Sequence, residues 1–222
     1  MLVFLISLFL GSEAHASFQD VHLKTGYFLS GTTGTSGNGP EDPRSLNIGI
    51  SAGFHFRFEA LEIGVVSHIS HGMISNFYLS ENGNLFSGRG TVSGQSFSLP
   101  LRRNLLPTAV ISKKDIFYGF AGPSALFNTI RFRRIDAGSR LTANQKITSQ
   151  NFGVALGAGV EQIPLKSERP SFVHLLYSVH WPKRYNVIDT TDRTQVVDLY
   201  GSNGGFYRTI HTIMVEAGIF VF

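Results

Sequence analysis

Apolar residues recur at every second position over eight stretches of this chain. In the clearest, Leu46, Ile48, Ile50, Ala52, Phe54 and Phe56 form one row, and Ser45, Asn47, Gly49, Ser51, Gly53 and His55 fall between them. A period of two is the pitch of a β-strand, whose successive side chains point to opposite faces. The same reading gives a strand through Val21, Leu23, Tyr27 and Leu29, and one through Leu61, Ile63, Val65 and Ile69. A fourth runs Phe97, Leu99, Leu101, Leu105, Pro107, Ala109 and Ile111; a fifth follows Ile116, Tyr118, Phe120 and Leu126, opposite Gly119, Ala121 and Ala125. Phe152, Val154, Leu156, Ala158 and Val160 make a sixth, and Val173, Leu175, Tyr177, Val179 and Trp181 a seventh. Ile213, Val215, Ala217, Ile219 and Val221 make the eighth, with Thr212, Met214, Glu216, Gly218, Phe220 and Phe222 on its other face.

The connections between these stretches alternate in length. Three are short, at Arg57-Phe58, Lys113-Lys114-Asp115 and Pro164–Pro170. Four are long: Gly31–Arg44, Gly72–Ser96, Asn128–Gln150 and Pro182–Arg208. Within Gly72–Ser96, Asn82-Gly83-Asn84 is a turn signal consistent with an extended hairpin. The expected fold is all-β: an antiparallel, eight-stranded, up-and-down barrel, whose even strand number closes it without an edge.

Composition decides which solvent the apolar rows meet. Charged residues are 15% of the chain, aromatics are 12% and Gly numbers 24, whereas a soluble barrel carries its charge outside. The faces opposite the apolar rows are mostly Gly, Ala, Ser, Asn and His, small enough to fill the inside of an eight-stranded barrel. The rows therefore face lipid, and the fold is expected to be transmembrane. Aromatics at the row ends (Phe54, Phe56, Phe220 and Phe222 at one, Tyr27, Phe152 and Trp181 at the other) suit two interfacial girdles. No stretch after the N-terminal segment reaches the roughly 18 apolar residues of a membrane helix. That segment, Met1–Leu10, is nearly all apolar and is followed by Ala14-His15-Ala16, the pattern of a signal peptide over residues 1–16. No Lys or Arg precedes the apolar run, so either the initiator amine supplies the positive end or translation starts upstream. Residues 17–222 then form the barrel domain, and losing Glu13 moves the formal charge from +4 to +5.

An alternating strand closed by a terminal aromatic, here Phe222, resembles the end of bacterial outer-membrane barrels, where it is read by the assembly machinery. With the Gly-rich segment Tyr118-Gly119-Phe120-Ala121-Gly122-Pro123, the chain is similar to the eight-stranded outer-membrane proteins. That class includes the transmembrane part of OmpA and the OmpX and OmpW barrels. The resemblance implies a Gram-negative outer membrane, short turns in the periplasm and long loops at the cell surface.

Candidate chemistry lies on the inward faces and in the loops. Lys24, Glu62, His68, Arg102, His174, Glu161 and Glu216 are expected to form a polar network in the lumen, because buried charges must pair. The network is read either as a plug or as the lining of a narrow path for ions or small solutes. His68 and Ser70 share one strand face, as a base and a nucleophile must. His68-Ile69-Ser70, with Ser75-Asn76 beyond, resembles the His/Ser pair of outer-membrane lipid A deacylases. That resemblance implies His68 as general base and Ser70 as nucleophile in ester hydrolysis. Arg131, Arg133, Arg134 and Arg140 make the third long loop basic, suited to lipopolysaccharide phosphates, which Arg binds bidentately. The chain has no Cys, zinc-ligand spacing or phosphate loop, so no metal or cofactor is expected. No nucleic-acid module is recognisable either. The leading expectation is a monomeric, non-enzymatic barrel with a structural or surface-interaction role. A narrow, porin-like channel and a lipid A esterase are the alternatives.

Overall fold

The computed structural model describes residues 18–36, 44–58, 61–81, 84–105, 115–162, 170–191, 195–200 and 207–221. The segment expected to be a signal peptide and the terminal Phe222 lie outside them. The described residues form ten antiparallel strands: β1 (Phe18–Ser36), β2 (Arg44–Phe58), β3 (Leu61–Glu81), β4 (Asn84–Ser98), β5 (Leu101–Asn104), β6 (Asp115–Ile135), β7 (Gln145–Gln162), β8 (Ser171–Asp189), β9 (Gln195–Tyr200) and β10 (Tyr207–Phe220). Each pairs with its neighbour, and β10 pairs with both β1 and β8, so the sheet closes on itself.

The ring has eight staves, because two of them are interrupted. β4 and β5 both lie between β3 and β6 and share one stave. The break falls at Leu99-Pro100, where Pro100 has no N–H to give the ladder. β9 pairs the upper part of β8 and β10 the lower part, so these two share the eighth stave.

Outward positions carry the lipid-facing rows. Tyr27 (78% exposed), Met73 (71%), Leu46 (62%), Ile48, Leu156, Val173 and Ile213 all point away from the barrel axis. A belt of aromatics crosses three staves, with Phe97 and Phe127 6.3 Å apart and Phe127 and Phe152 6.5 Å apart. Trp181 pairs with Phe152 on the next strand.

The strands run far past this band. β3 and β6 have 21 residues each, about twice the 9–11 that a tilted membrane strand needs. Most of the segments expected as long loops are therefore paired strand. β3 and β4 leave only residues 82–83 between them, and Arg131, Arg133 and Arg134 lie on β6 rather than in a loop. Above the band the pattern inverts, and apolar residues turn inward. Phe77, Phe86, Val92, Ile130, Leu141, Ile147, Tyr185, Val187 and Ile210 form a buried cluster inside the extended hairpins. Water replaces lipid around this part of the barrel, so the apolar side moves to the interior.

Three expectations are corrected. The fourth strand starts at Asn84 rather than Phe97, and the residues after Leu105 in its expected row lie outside those described. In the fifth, Tyr118 and Phe120 face inward, not outward. Each fills the space left by a glycine on β7, Gly159 and Gly157 respectively. Phe220 is also buried, packing edge-on against Phe172 at 6.1 Å and His22 at 5.7 Å rather than joining a girdle.

Candidate functional site

Inward positions of the lower barrel gather every one of the seven residues expected in the lumen, and they lie in two layers. In the layer nearer the short turns, Glu62 on β3 is the hub. It meets Lys24 from β1, His55 Nδ1 at 2.8 Å and Arg57 Nη2 at 3.1 Å from β2, and Arg102 Nη1 at 3.3 Å from β5. Glu161 on β7 shares the same guanidiniums, pairing with Arg102 Nη2 and, through the nitrogen that also meets Glu62, with Arg57 Nη2 at 3.2 Å. Tyr118 stacks beneath Arg102, 3.7 Å from guanidinium carbon to ring centre.

Glu216 on β10 is the hub of the next layer. Its Oε2 accepts from His68 Nε2 at 3.1 Å and from His174 Nε2 at 3.0 Å, and its Oε1 accepts from the Ser51 hydroxyl. The second nitrogen of each imidazole is also taken. Ser96 Oγ donates to His68 Nδ1 at 3.4 Å, and Tyr118 Oη donates to His174 Nδ1 at 3.2 Å. Across both layers three buried carboxylates (Glu62, Glu161, Glu216) stand with two buried cations (Lys24, Arg102) and the half-buried Arg57.

Little space remains between these groups. One cavity of about 60 Å³ lies above Glu216, lined by Ser30, Asn47, Ser96, Ser124, Ser178 and His180 among others. A second of about 40 Å³ lies among Lys24, Arg102, Tyr118 and Glu216. Each has room for a few waters and no more. Above the first, the apolar cluster of the hairpins covers the barrel.

His68 and Ser70 share the inward face of β3 but have different partners. Ser70 Oγ donates to the Gly94 carbonyl at 3.4 Å, whereas His68 is held between Glu216 and Ser96. Glu62 is committed to the cations of the lower layer. Of the basic residues expected at the surface, Arg131, Arg133 and Arg134 are exposed on β6, and Arg140 is exposed in the turn after it. Sequence reasoning placed Arg57 in a turn and so missed its bridge between Glu62 and Glu161. Its alternation with His55 and Gly53 along β2 carried the signal.

No protein-family model matches the chain, and no curated protein sequence matches it. Solved structures do. The outer membrane protein OprG of Pseudomonas aeruginosa aligns over 93% of this chain and 95% of its own, with a TM-score of 0.51 at 9% identity. The fold is that of an outer-membrane β-barrel. A major outer membrane protein of Thermus thermophilus aligns over 88% of this chain and 98% of its own, at 14% identity and a TM-score of 0.44, too distant to add to that. At 9% identity the likeness to OprG is one of architecture, and any function of this barrel has to be argued from its own residues.

Proposed function

We propose that this protein is a closed barrel of the bacterial outer membrane that holds paired hairpins above the bilayer, in a structural or surface-interaction role. The observation that carries this reading is the filled interior. Two layers whose charges balance only when taken together occupy the lumen at the level of the lipid-facing rows, and an apolar cluster fills the hairpins above them. A conducting pore needs a wide wet path, and the described interior holds only small cavities of about 40, 60 and 40 Å³ between its filled layers. The long paired strands add to the reading: an apolar core inside the hairpins gives them a fixed shape to present. Outer-membrane residence rests on the fold and on a band of exposed large side chains that are mostly apolar.

The test is gel mobility of the outer-membrane fraction, boiled against unboiled. A folded barrel resists detergent and changes its migration only after heating. The expected result is a heat-shifted band in that fraction. A protein found free in the periplasm with no shift sinks the reading, because its apolar rows would then have to meet something other than lipid.

A further inference from the structure

A groove opens on the outer wall at the upper end of the lipid-facing rows, across β2, β3, β4 and β6. Its volume is about 460 Å³, within the range of small-molecule sites. Its floor is apolar: Leu46 and Met73, paired across β2 and β3, are 62% and 71% exposed. Its upper rim is cationic, with Arg44 from β2, Arg89 from β4 and Arg133 from β6. Below it, His71 Nδ1 and Ser93 Oγ, both exposed, are joined at 2.9 Å, so polar groups continue into the edge of the apolar band.

Local backbone geometry brings the arginines together. The β4–β6 ladder steps from the Arg89–Arg134 pair to the Gly90–Phe132 pair, leaving Arg133 as the extra residue of a β-bulge. A bulge re-aims a side chain, and here the re-aimed residue lines the groove. Among the described residues no carboxylate pairs with Arg44, Arg89 or Arg133. Arg89 also stands directly opposite Arg134, and like charges in that position destabilise a ladder. Gathered cations over an apolar floor fit one kind of occupant, a lipid whose phosphate sits above its acyl chains.

We infer that the Arg44–Arg89–Arg133 groove binds the phosphorylated headgroup of a lipopolysaccharide molecule, with its acyl chains lying along Leu46 and Met73. The guanidiniums take the phosphate through bidentate hydrogen bonds. The inference rests on the proposed outer-membrane residence, which puts the hairpin end of the barrel in the leaflet where this lipid lies.

The experiment is lipid binding by detergent-folded full-length protein, using lipid A with its phosphates and lipid A from which they have been removed. Removal of the phosphates is expected to weaken binding at least tenfold. A triple Arg44→Gln, Arg89→Gln, Arg133→Gln variant is expected to lose the same factor. A triple Lys113→Gln, Lys114→Gln, Lys183→Gln variant removes equal charge elsewhere and is expected to bind within about twofold of wild type. Heat-shifted migration of each variant confirms that it has folded. Equal weakening by the two triple variants, or equal binding of the two lipids, overturns the site. A heat-shifted wild-type protein that binds neither lipid also overturns it, while leaving the barrel reading intact. Absence of the shift in wild type overturns the barrel reading itself.

Discussion

Glu62 shows what a single residue carries in this barrel. It is 3% exposed and is contacted by Lys24, His55, Arg57 and Arg102 from three other strands. Removing one member of a buried ion pair leaves the others uncompensated, which costs about 3–5 kcal/mol. Glu62→Ala is therefore expected to lower the unfolding free energy by about that amount, read by urea titration of the detergent-folded protein. Replacing Glu62 and Lys24 together by apolar residues is expected to cost less than Glu62→Ala alone, because it removes the stranded cation as well. A double-substituted protein no more stable than Glu62→Ala would count against a pairwise role. Asn76 is a different residue-scale case. It has φ 54°, at the bulge where the β3–β4 register shifts between Ile74 and Phe77. That shift returns Phe77 to the inward face. Asn76→Val is expected to destabilise by about 1–2 kcal/mol and Asn76→Gly by less, measured by the same titration.

At the scale of the strand, the glycines explain where the inward aromatics sit. Phe28 stands opposite Gly49, Tyr118 opposite Gly159, Phe120 opposite Gly157 and Phe172 opposite Gly218. A Cβ added to any of these glycines would press on the facing aromatic side chain. The barrel interior is thus filled by cross-strand pairs, one large partner over one without a side chain. Gly157→Ala is expected to cost about 1–3 kcal/mol through overpacking. Combining it with Phe120→Leu is expected to recover part of the loss, a coupling that a double-mutant cycle reads directly. Strictly additive effects would mean that the two residues do not share space. The same pairing accounts for the misread face of β6. Tyr118 and Phe120 alternate with Gly119 and Ala121, so on periodicity alone the aromatics belong to the lipid side. The glycines that draw them inward lie about 40 residues away on β7.

For the whole molecule the decisive property is closure. The sheet closes through the β1–β10 and β8–β10 pairings, the lumen holds a charged network, and an apolar core fills the hairpins above it. Planar bilayers containing the purified protein are expected to show no discrete current steps. Opening the interior is expected to change that only if both the charged layers and the apolar cluster are breached, so Glu62→Ala alone should remain silent. Steady unitary conductance from the wild-type protein would replace the closed-barrel reading with the channel one.

The alternating rows and the sparing use of charge were enough to give the strand type, the number of staves, the closed topology and, on every stave but that of β6, the side that faces lipid. These are local properties: a strand's faces are set by its period, and each membrane-facing row must be apolar along its length. The inward identity of Lys24, Glu62, His68, Glu161, His174 and Glu216 followed from the same parity. Where the strands end was not legible. On β7, Phe152, Val154 and Leu156 point outward, yet Ile147 points inward on an unbroken strand, because the surroundings change from lipid to water between them. The apolar row changes face there, so a search for one continuous phase stops at the membrane boundary and takes the rest for loop. Nor does spacing along one strand say which groups meet across the barrel. His68 joins Glu216 and Ser96 rather than Ser70, and Arg44, Arg89 and Arg133 come from three strands to one groove. Those meetings depend on register, on two bulges and on the closure of the wall, which only the folded barrel supplies.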